Sequence, residues 1–495
     1  MLNLSNALTI GLPLVLTPTV IGLTLLGTFI GLVVGSLPGL TATMAVAIMI
    51  PLTYSMTPQE SFALLVPSYA AATFGGSVGA ILINIPGTGA AIMTTIDGYA
   101  MRKNGEAGRA IGLAIAASLV GGLVSALFLA TFAPVAARWA LRLGAHEYFA
   151  VALFGLGFVA YISPSLLKGL LAGALGLLLG CVGNDPVGAY PRFTFDHASL
   201  IGGMTFVPVM IGLFGLSEVF VALEGDLSAR DVARQQIHGI ARSFWEALRM
   251  WPTMIRSTVI GLLIGVMPGV GPTIAAALGY GIEKRLGRNR EAMGTGAPEG
   301  IVAPETANNA GTGGELAVTM AFGIPGDAVT AVMMGAFLIH GLKPGPTLFV
   351  SNPDVVSAIF LLFIAGNLLF AVLGIASLRF LVKLLETPPR YLMPIVIVLC
   401  VVGAYAASNS VFDVWVLIVF GVVGYVMRKI DMPIAPMVLG FILGPLIEDN
   451  LRRALVLDDG WPIGFLTRPV SAVLIGLTVL LFLSPVLGRF AGRKQ

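Results

Sequence analysis

The chain has 495 residues, of which 57% are hydrophobic and only 11% charged. A soluble domain carries roughly 25% charged residues, so this composition excludes a soluble globular protein and describes one built into a membrane. The formal charge of +3 matters less than its arrangement, the two cysteines (Cys181 and Cys400) form no metal or redox motif, and no nucleic-acid partner is expected.

Residues 1–17 hold no Lys or Arg, so the basic region of a cleavable signal peptide is missing and the first apolar run is expected to stay as a helix. Residues 19–37 form a first span, broken at Pro38-Gly39 and continued over 41–52. A polar connector without positive charge follows at 53–60. The small-residue run 61–84 is interrupted by Gly75-Gly76-Ser77, and a basic connector covers 97–109. Spans follow near 110–133, 147–162, 166–183 and 200–222, with a polar insertion at 184–197 in which Asp185, Arg192 and Asp196 can pair. Residues 224–256 carry five arginines with Phe244, Trp245, Leu248 and Trp251 at near-helical spacing, which reads as an interfacial amphipathic linker on the membrane lipid. A second broken span is expected over 257–282, a basic connector at 283–290, and a polar block at 294–315 followed by an apolar run to 339. Residues 340–354 are nearly free of positive charge, and further spans lie near 355–378, 391–408, 411–427, 433–447 and 468–488. The apolar runs amount to about 10 to 14 embedded helical segments. The expected division is a first membrane repeat at 1–223, the linker at 224–256, and a second repeat at 257–495.

The chain writes one pattern twice. Gly31, Leu32, Gly35, Pro38, Gly39, Thr43, Ala45 and Ala47 recur 230 positions later, in the segment Gly261 to Ala277. Downstream of the first copy lie Gly75-Gly76 and Ile85-Pro86-Gly87; downstream of the second lie Gly313-Gly314 and Ile324-Pro325-Gly326. In the first copy the connector after the Pro-Gly span lacks Lys and Arg, and the one after Ile-Pro-Gly is basic. In the second copy that order is reversed. If basic connectors mark the cytoplasm, the two copies are inverted relative to each other. Inverted repeats with broken helices are the architecture of secondary transporters. The expected fold is therefore an all-α polytopic membrane protein with two inverted repeats, broken helices and re-entrant hairpins, in the bacterial inner (cytoplasmic) membrane.

The most polar sequence inside the apolar body is Glu299 to Glu315. It holds Glu305, Asn308, Asn309 and Thr312, and its counterpart near Thr73–Asp97 holds Ser77, Asn84 and Thr88. Irregular backbone at membrane depth survives only where protein buries it or a cavity solvates it. The functional reading makes Asn84-Ile85-Pro86-Gly87-Thr88 and Gly323-Ile324-Pro325-Gly326-Asp327 the tips of two re-entrant hairpins facing one ion and substrate site. The plain alternative is a Pro-Gly turn between two ordinary helices. Asp97, Glu299 and Glu305 are candidate proton or coupling carboxylates, against a helix cap for Asp97 and a solvated loop for Glu299. The four histidines are too dispersed for a metal site. HExxH, GxSxG and Walker A motifs are absent, so neither an enzyme nor an ATP-driven pump is expected. A membrane enzyme using Glu299 and Glu305 as acid and base would need a nearby metal-ligand cluster, and a channel would need more than two repeats around its filter.

The segments GSLPGLTATMAVAIMIPLTYSMTP, FGGSVGAILINIPGTGAAIMTTIDGYAMRKNGEAGRAIG and GAPEGIVAPETANNAGTGGELAVTMAFGIPGDAVTAVMMG carry a resemblance to a known family. Together with PRFTFDHASLIGGMTFVPVMIGLFGLSEV they resemble the large membrane subunit of the bacterial tripartite tricarboxylate transporters, the TctA family. The resemblance implies secondary, elevator-type uptake of an organic acid. A periplasmic solute-binding protein would deliver the acid, and a small membrane subunit would accompany this one. Leu40-Thr41-Ala42, Gly89 and Ala100 depart from the family pattern, which bears on the acid carried. A carboxylate with two or three charges enters against the membrane potential at about 2.3 kcal/mol per charge per 100 mV, so cations must enter with it. Na⁺ is expected, with H⁺ the alternative and no other cofactor.

Overall fold

The structure is a computed structural model of the full chain, and it describes residues 4–37, 39–185, 188, 190–224 and 238–491. Pro38, most of the linker's polar stretch and Arg493 lie outside the described residues. Nine described helices are long and apolar enough to cross a membrane, and four shorter apolar helices accompany them.

In chain order the helices are α1 (Leu4–Val15), α2 (Pro18–Ser36), α3 (Ala42–Met49), α4 (Pro58–Ile83), α5 (Ile92–Lys103) and α6 (Ala107–Ala140). After these come α7 (Ala145–Ile162), α8 (Leu166–Gly180), α9 (Phe206–Glu224, with a π-helical turn at Ile211–Leu216) and α10 (Ile240–Arg249). The second half holds α11 (Trp251–Gly265), α12 (Gly271–Leu286), α13 (Glu299–Phe322), α14 (Ala328–Ile339) and α15 (Pro353–Ala376). The chain closes with α16 (Leu378–Leu385), α17 (Pro389–Ser408), α18 (Val411–Lys429), α19 (Ile434–Leu457) and α20 (Pro469–Ala491). A two-residue antiparallel ribbon pairs β1 (Gly183–Asn184) with β2 (Pro191–Arg192) inside the polar insertion. There Arg192 bonds Asp185 and Glu448, while Asp196 stays exposed.

The second broken span begins at Trp251, six residues before the expected start. Pro252 in its first turn fixes φ where a helix has no use for the N–H. The aromatic residues of the linker therefore divide between α10, which exposes Trp245, and the first turn of α11.

Small residues fix how the halves pack. Gly27, Gly31 and Gly35 form a stripe along α2, where a Cβ on each would strike the Leu64, Ser68 or Ala72 carbonyl of α4. In the second half Gly261 and Gly265 of α11 meet the Ala307 and Gly311 carbonyls of α13 in the same way. Without a hydrophobic drive between helices in lipid, such backbone contact is the main source of association. The match also sets the repeat register. Gly75 and Gly314 both lie against the end of the broken helix, so Gly76 corresponds to Glu315, and Gly313 instead packs on Ser125 of α6. The sequence alignment of Gly75-Gly76 with Gly313-Gly314 is thus shifted by one residue.

Two expectations about broken backbone change. Gly75-Gly76-Ser77 does not interrupt α4, and the polar block 299–315 is not irregular: α13 runs through it with Gly300 to Ala321 all buried. The helix hairpins are instead α2–α3 and α11–α12, which turn near Gly39 and Gly269. Arg256 near the start of α11 bonds Glu283 near the end of α12 at 2.7 Å, so this pair enters and leaves at one end of the molecule. On the other side, Gly27 of α2 meets Leu64, and the Thr53 carbonyl after α3 accepts from Ser61, so the chain enters α2 and leaves α3 toward the N-terminal end of α4. The Ile-Pro-Gly segments do something else. Each follows a left-handed helix end (Asn84 φ 59°, Gly323 φ 69°) and runs back along the helix it has just left. Gly87 N–H reaches the Gly76 carbonyl at 3.3 Å, and Gly326 N–H reaches Thr319 Oγ1 at 3.2 Å. A half-length helix, α5 or α14, then starts from that level.

The long helices α4 and α13 are antiparallel. Ser77 reaches Glu305, and Tyr69 reaches Glu315, so residue numbers fall along one helix as they rise along the other. Partners are exchanged between halves: Gly121 of α6 packs on Thr306 of α13, and Gly366 of α15 packs on Pro67 of α4. Gln59 bonds Asp354 at 2.9 Å, and Tyr280 of α12 bonds Asp97 of α5 at 2.9 Å. Thr57 and Ser351 therefore share one end, with Arg102, Lys103, Lys284 and Arg285 at the other. Labelling of Thr57→Cys, Ser351→Cys and Lys284→Cys by a membrane-impermeant thiol reagent checks this. The first two are expected to react from one side and the third from the other.

Candidate anion-binding cavity

Each broken element ends by starting a helix, and the starts converge. A cavity of about 250 Å³ is lined by Thr41–Thr43, Thr88–Ala90, Gly269–Thr273 and Asp327–Val329, with Tyr69 and Thr73 of α4 and Ala435 of α19 completing the wall. The four segments are two pairs of repeat counterparts. Thr41–Thr43 matches Gly271–Thr273, and Thr88–Ala90 matches Asp327–Val329. The halves interlock here: a Cβ on Gly89 would stand 3.0 Å from Thr273 Oγ1.

The first N–H groups of a helix have no intrahelical acceptor, and each helix start carries roughly half a positive charge. Two of the four starts are capped from within. Thr41 Oγ1 accepts from Met44 N–H at 3.2 Å, and Asp327 Oδ1 accepts from Thr330 N–H at 2.7 Å. The other two, at Gly89, where a 3₁₀ turn (Gly89–Ala91) leads into α5, and at Gly271, have no side-chain cap. Thr88 Oγ1, which also lines the cavity, is buried without a partner. Helix starts without a side-chain cap, their dipoles and an unused hydroxyl are the chemistry of an anion site. The volume lies below the roughly 300–1,000 Å³ of drug-sized pockets and suits a small acid.

The residues singled out in the sequence divide around this cavity. Thr88 and Asp327 line it. Gly87 and Gly326 lie just behind, where a Cβ would strike Gly35 and the Glu315 backbone respectively. Their glycine requirement is thus one of helix packing. The Gly326 carbonyl also accepts from Gly269 N–H at 2.7 Å, which ties the return segment to the Pro-Gly turn. Asn84 is exposed and Gly323 is buried under Pro344, each at a left-handed helix end on the far side of its return, with Pro86 and Pro325 in the extended stretch between.

A polar seam between α4 and α13 holds most of the rest. Glu305, Asn308, Thr312 and Glu315 follow the i, i+3, i+7 spacing of one helix face and are all buried. Glu305 accepts from Thr94 at 2.5 Å and from Ser118 at 3.0 Å, with Ser77 also in reach. Asn309 bonds back to the Glu305 carbonyl and Thr312 to the Asn309 carbonyl, whereas both polar atoms of Asn308 are buried without partners. Asp97 is a clamp. Its Oδ1 accepts from the N–H groups of Gly294, Gly296 and Ala297 at 2.8–2.9 Å, and its Oδ2 accepts from Tyr280, which docks the α12–α13 connector onto α5. Glu299 lies in the first turn of α13, half-buried and bonded to Asn289. Two of the histidines have polar partners: His340 meets Ser61 at 2.7 Å and His146 meets Asp458 at 2.8 Å. Among the described residues no group of three or more His, Cys, Asp or Glu side chains could hold a metal ion.

Sequence reasoning missed Tyr69, Thr41 and Thr273 as wall residues. Thr43 and Thr273 carried a signal, being the repeated Thr after each Pro-Gly break, and Tyr69 is the one large polar side chain in the small-residue run SYAAATFGG.

A family profile described as "Tripartite tricarboxylate transporter TctA family" matches residues 21–439. An Agrobacterium vitis protein described as "Uncharacterized 52.8 kDa protein in TAR-I ttuC' 3'region" is 37% identical over 478 residues, covering 96% of this chain and 95% of its own length. A second A. vitis protein, "Uncharacterized protein in TAR-II ttuC' 3'region", is 38% identical over 235 residues, covering 48% of this chain and 97% of its own length. No solved structure matches.

Two substitutions test the assignments at the edge of the site. Asp97→Ala leaves three N–H donors at the connector without their acceptor. The buried one, at Ala297, costs about 1–3 kcal/mol, so thermal unfolding in detergent is expected to occur below wild type, with Asp97→Asn close to wild type. Asn84→Gly, which suits the left-handed φ, is expected to leave both melting and transport unchanged.

Proposed function

Because the chain belongs to the TctA family of tripartite tricarboxylate transporters, we propose that it is the carrier subunit that takes a di- or tricarboxylate across the bacterial inner membrane through the cavity between its two halves. The observation that carries this reading is the pair of uncapped helix starts, Gly89 from one half and Gly271 from the other, facing a common space with Thr88 and Thr273. Carboxylate oxygens accept from such amides without requiring a buried arginine. Citrate, tartrate and other small di- and tricarboxylates are all of suitable chemistry.

The two halves are read as inverted repeats, supported by the antiparallel run of α4 and α13 and by the grouping of basic residues at one end, which is taken as cytoplasmic. Transport follows an elevator-type cycle in which the two hairpins, the return segments and the half-helices move together with the cavity. The return segments lend themselves to this because they bond mainly to their own unit, through Gly76, Thr319 and Gly269. Uptake is driven by Na⁺, for which the α4–α13 seam offers hard oxygen donors, among them the unpartnered Asn308. Proton coupling is the second reading, favoured by the buried carboxylates in the same seam. The solute-binding protein and the small membrane subunit supply capture and support, since the described chain is helical membrane body almost throughout.

The test is uptake of radiolabelled citrate, tartrate and succinate by cells producing the chain together with its partner subunits. Gly89→Asp and Thr273→Asp each place a negative charge at an anion-binding helix start and are expected to lower uptake at least tenfold, with Thr273→Ser near wild type. Replacing Na⁺ by choline is expected to abolish it. Undiminished uptake in both aspartate variants would remove the cavity from the transport path.

A further inference from the structure

Beside the anion cavity lies an arrangement of opposite sign. Tyr69, from the middle of α4, donates its hydroxyl to Glu315 Oε2 of α13 in a short hydrogen bond and stands 3.4 Å from Asp327 Oδ2 at the start of α14. All three side chains are buried, and Tyr69 and Asp327 reach the cavity wall. A phenol owns one proton and cannot donate it to both carboxylates. Neither carboxylate takes part in any ion pair among the described residues. Tyr69 and Asp327 are the titratable groups that face Glu315 from the elements around it. Two like charges this close, at membrane depth and without a counter-charge, are not stable together. The cluster is short of one positive charge.

Two further observations point to a ligand. Glu315 Oε1 is fully buried without any hydrogen-bond partner, and so is Thr88 Oγ1, which enters the same cavity from the other half. The charge is also confined to one half. The repeat counterpart of Glu315 is Gly76, that of Asp327 is Thr88, and that of Tyr69 is Asn308. A side chain needed only for packing the repeat would not have to be ionisable in one copy and glycine in the other.

We propose that Tyr69, Glu315 and Asp327 form the coupling-cation site, holding one monovalent positive charge, Na⁺ or a proton, between the two carboxylates and against the anion cavity. The inference rests on the carrier reading and fixes an order of events. An organic anion entering next to Asp327 is repelled until the pair is neutralised, so the cation binds first and does not need the acid. Once both are bound, the cation's charge compensates the carboxylate pair, and the helix starts are left to hold the substrate.

The experiment is ²²Na⁺ binding to the purified full chain in lipid nanodiscs, without organic acid, read by scintillation proximity. Wild type is expected to bind ²²Na⁺, and Glu315→Gln and Asp327→Asn to weaken binding at least tenfold. Tyr69→Phe should weaken it less, and the control Asp449→Asn, which breaks a peripheral ion pair with Arg453, should match wild type. Melting curves for each variant separate a lost site from a lost fold. If the charge is a proton, wild type binds no ²²Na⁺ but shows a titrating carboxylic-acid carbonyl band in the infrared that is missing from Glu315→Gln or Asp327→Asn. Folded variants that keep both wild-type ²²Na⁺ binding and the wild-type infrared spectrum overturn the proposal. Failure of the carrier reading appears separately, as absent carboxylate uptake with ²²Na⁺ binding intact.

Discussion

The constraint on which this structure depends is that a peptide group at membrane depth must find a hydrogen-bond partner inside the protein. A helix that stops half-way leaves up to four N–H or C=O groups exposed to an apolar medium. Here four elements stop or start near one level, and the structure deals with them in two ways. Some ends are covered by neighbouring backbone, as when Gly269 donates to Gly326 and Gly87 to Gly76. Others, at Gly89 and Gly271, are left without a side-chain cap around a small cavity. Gathering uncapped starts in one place is what the proposed binding of the acid draws on.

Glycine makes that gathering feasible. The stripe Gly27, Gly31, Gly35 draws α2 against the α4 backbone, and Gly261 and Gly265 do the same for α11 against α13. These contacts set the depth at which each Pro-Gly hairpin turns. Gly87 and Gly326 then let the return segments lie flat on the helices they come from. The polar seam between α4 and α13 runs through the middle of this assembly, and the cavity and the buried carboxylates are neighbours because Tyr69 of α4 reaches both.

Much of this was legible in the sequence. The duplicated Pro-Gly pattern marked both helix breaks, although the hairpin tips were expected at the Ile-Pro-Gly segments. The resemblance to the TctA family stood on motifs that fall at the helix ends around the cavity. What could not be read was direction. An Ile-Pro-Gly segment after a long apolar helix has the same sequence whether it tips a hairpin or returns along the helix before it, and only the contacts of Gly87 with Gly76 and of Gly326 with Glu315 distinguish the two. The polar block at 299–315 misled for a related reason. Its polar residues fall on one face of a buried helix, and local composition does not reveal that α6 and α11 cover the other faces. Asn84 and Asn309 looked like ligands by residue type, but one ends a helix and the other bonds back to its own turn, while the unpartnered amide belongs to Asn308.

The central claim is that the acid rests between helix starts contributed by both halves. It is tested most directly by substrate protection of single cysteines, Thr43→Cys and Thr273→Cys, in a background where Cys181 and Cys400 are replaced by serine. A small charged thiol reagent should modify both positions in the resting carrier. The account predicts that an acid taken up by the transporter slows modification at both sites in the same concentration range. Modification that proceeds at an unchanged rate at both, in saturating transported acid, would contradict it.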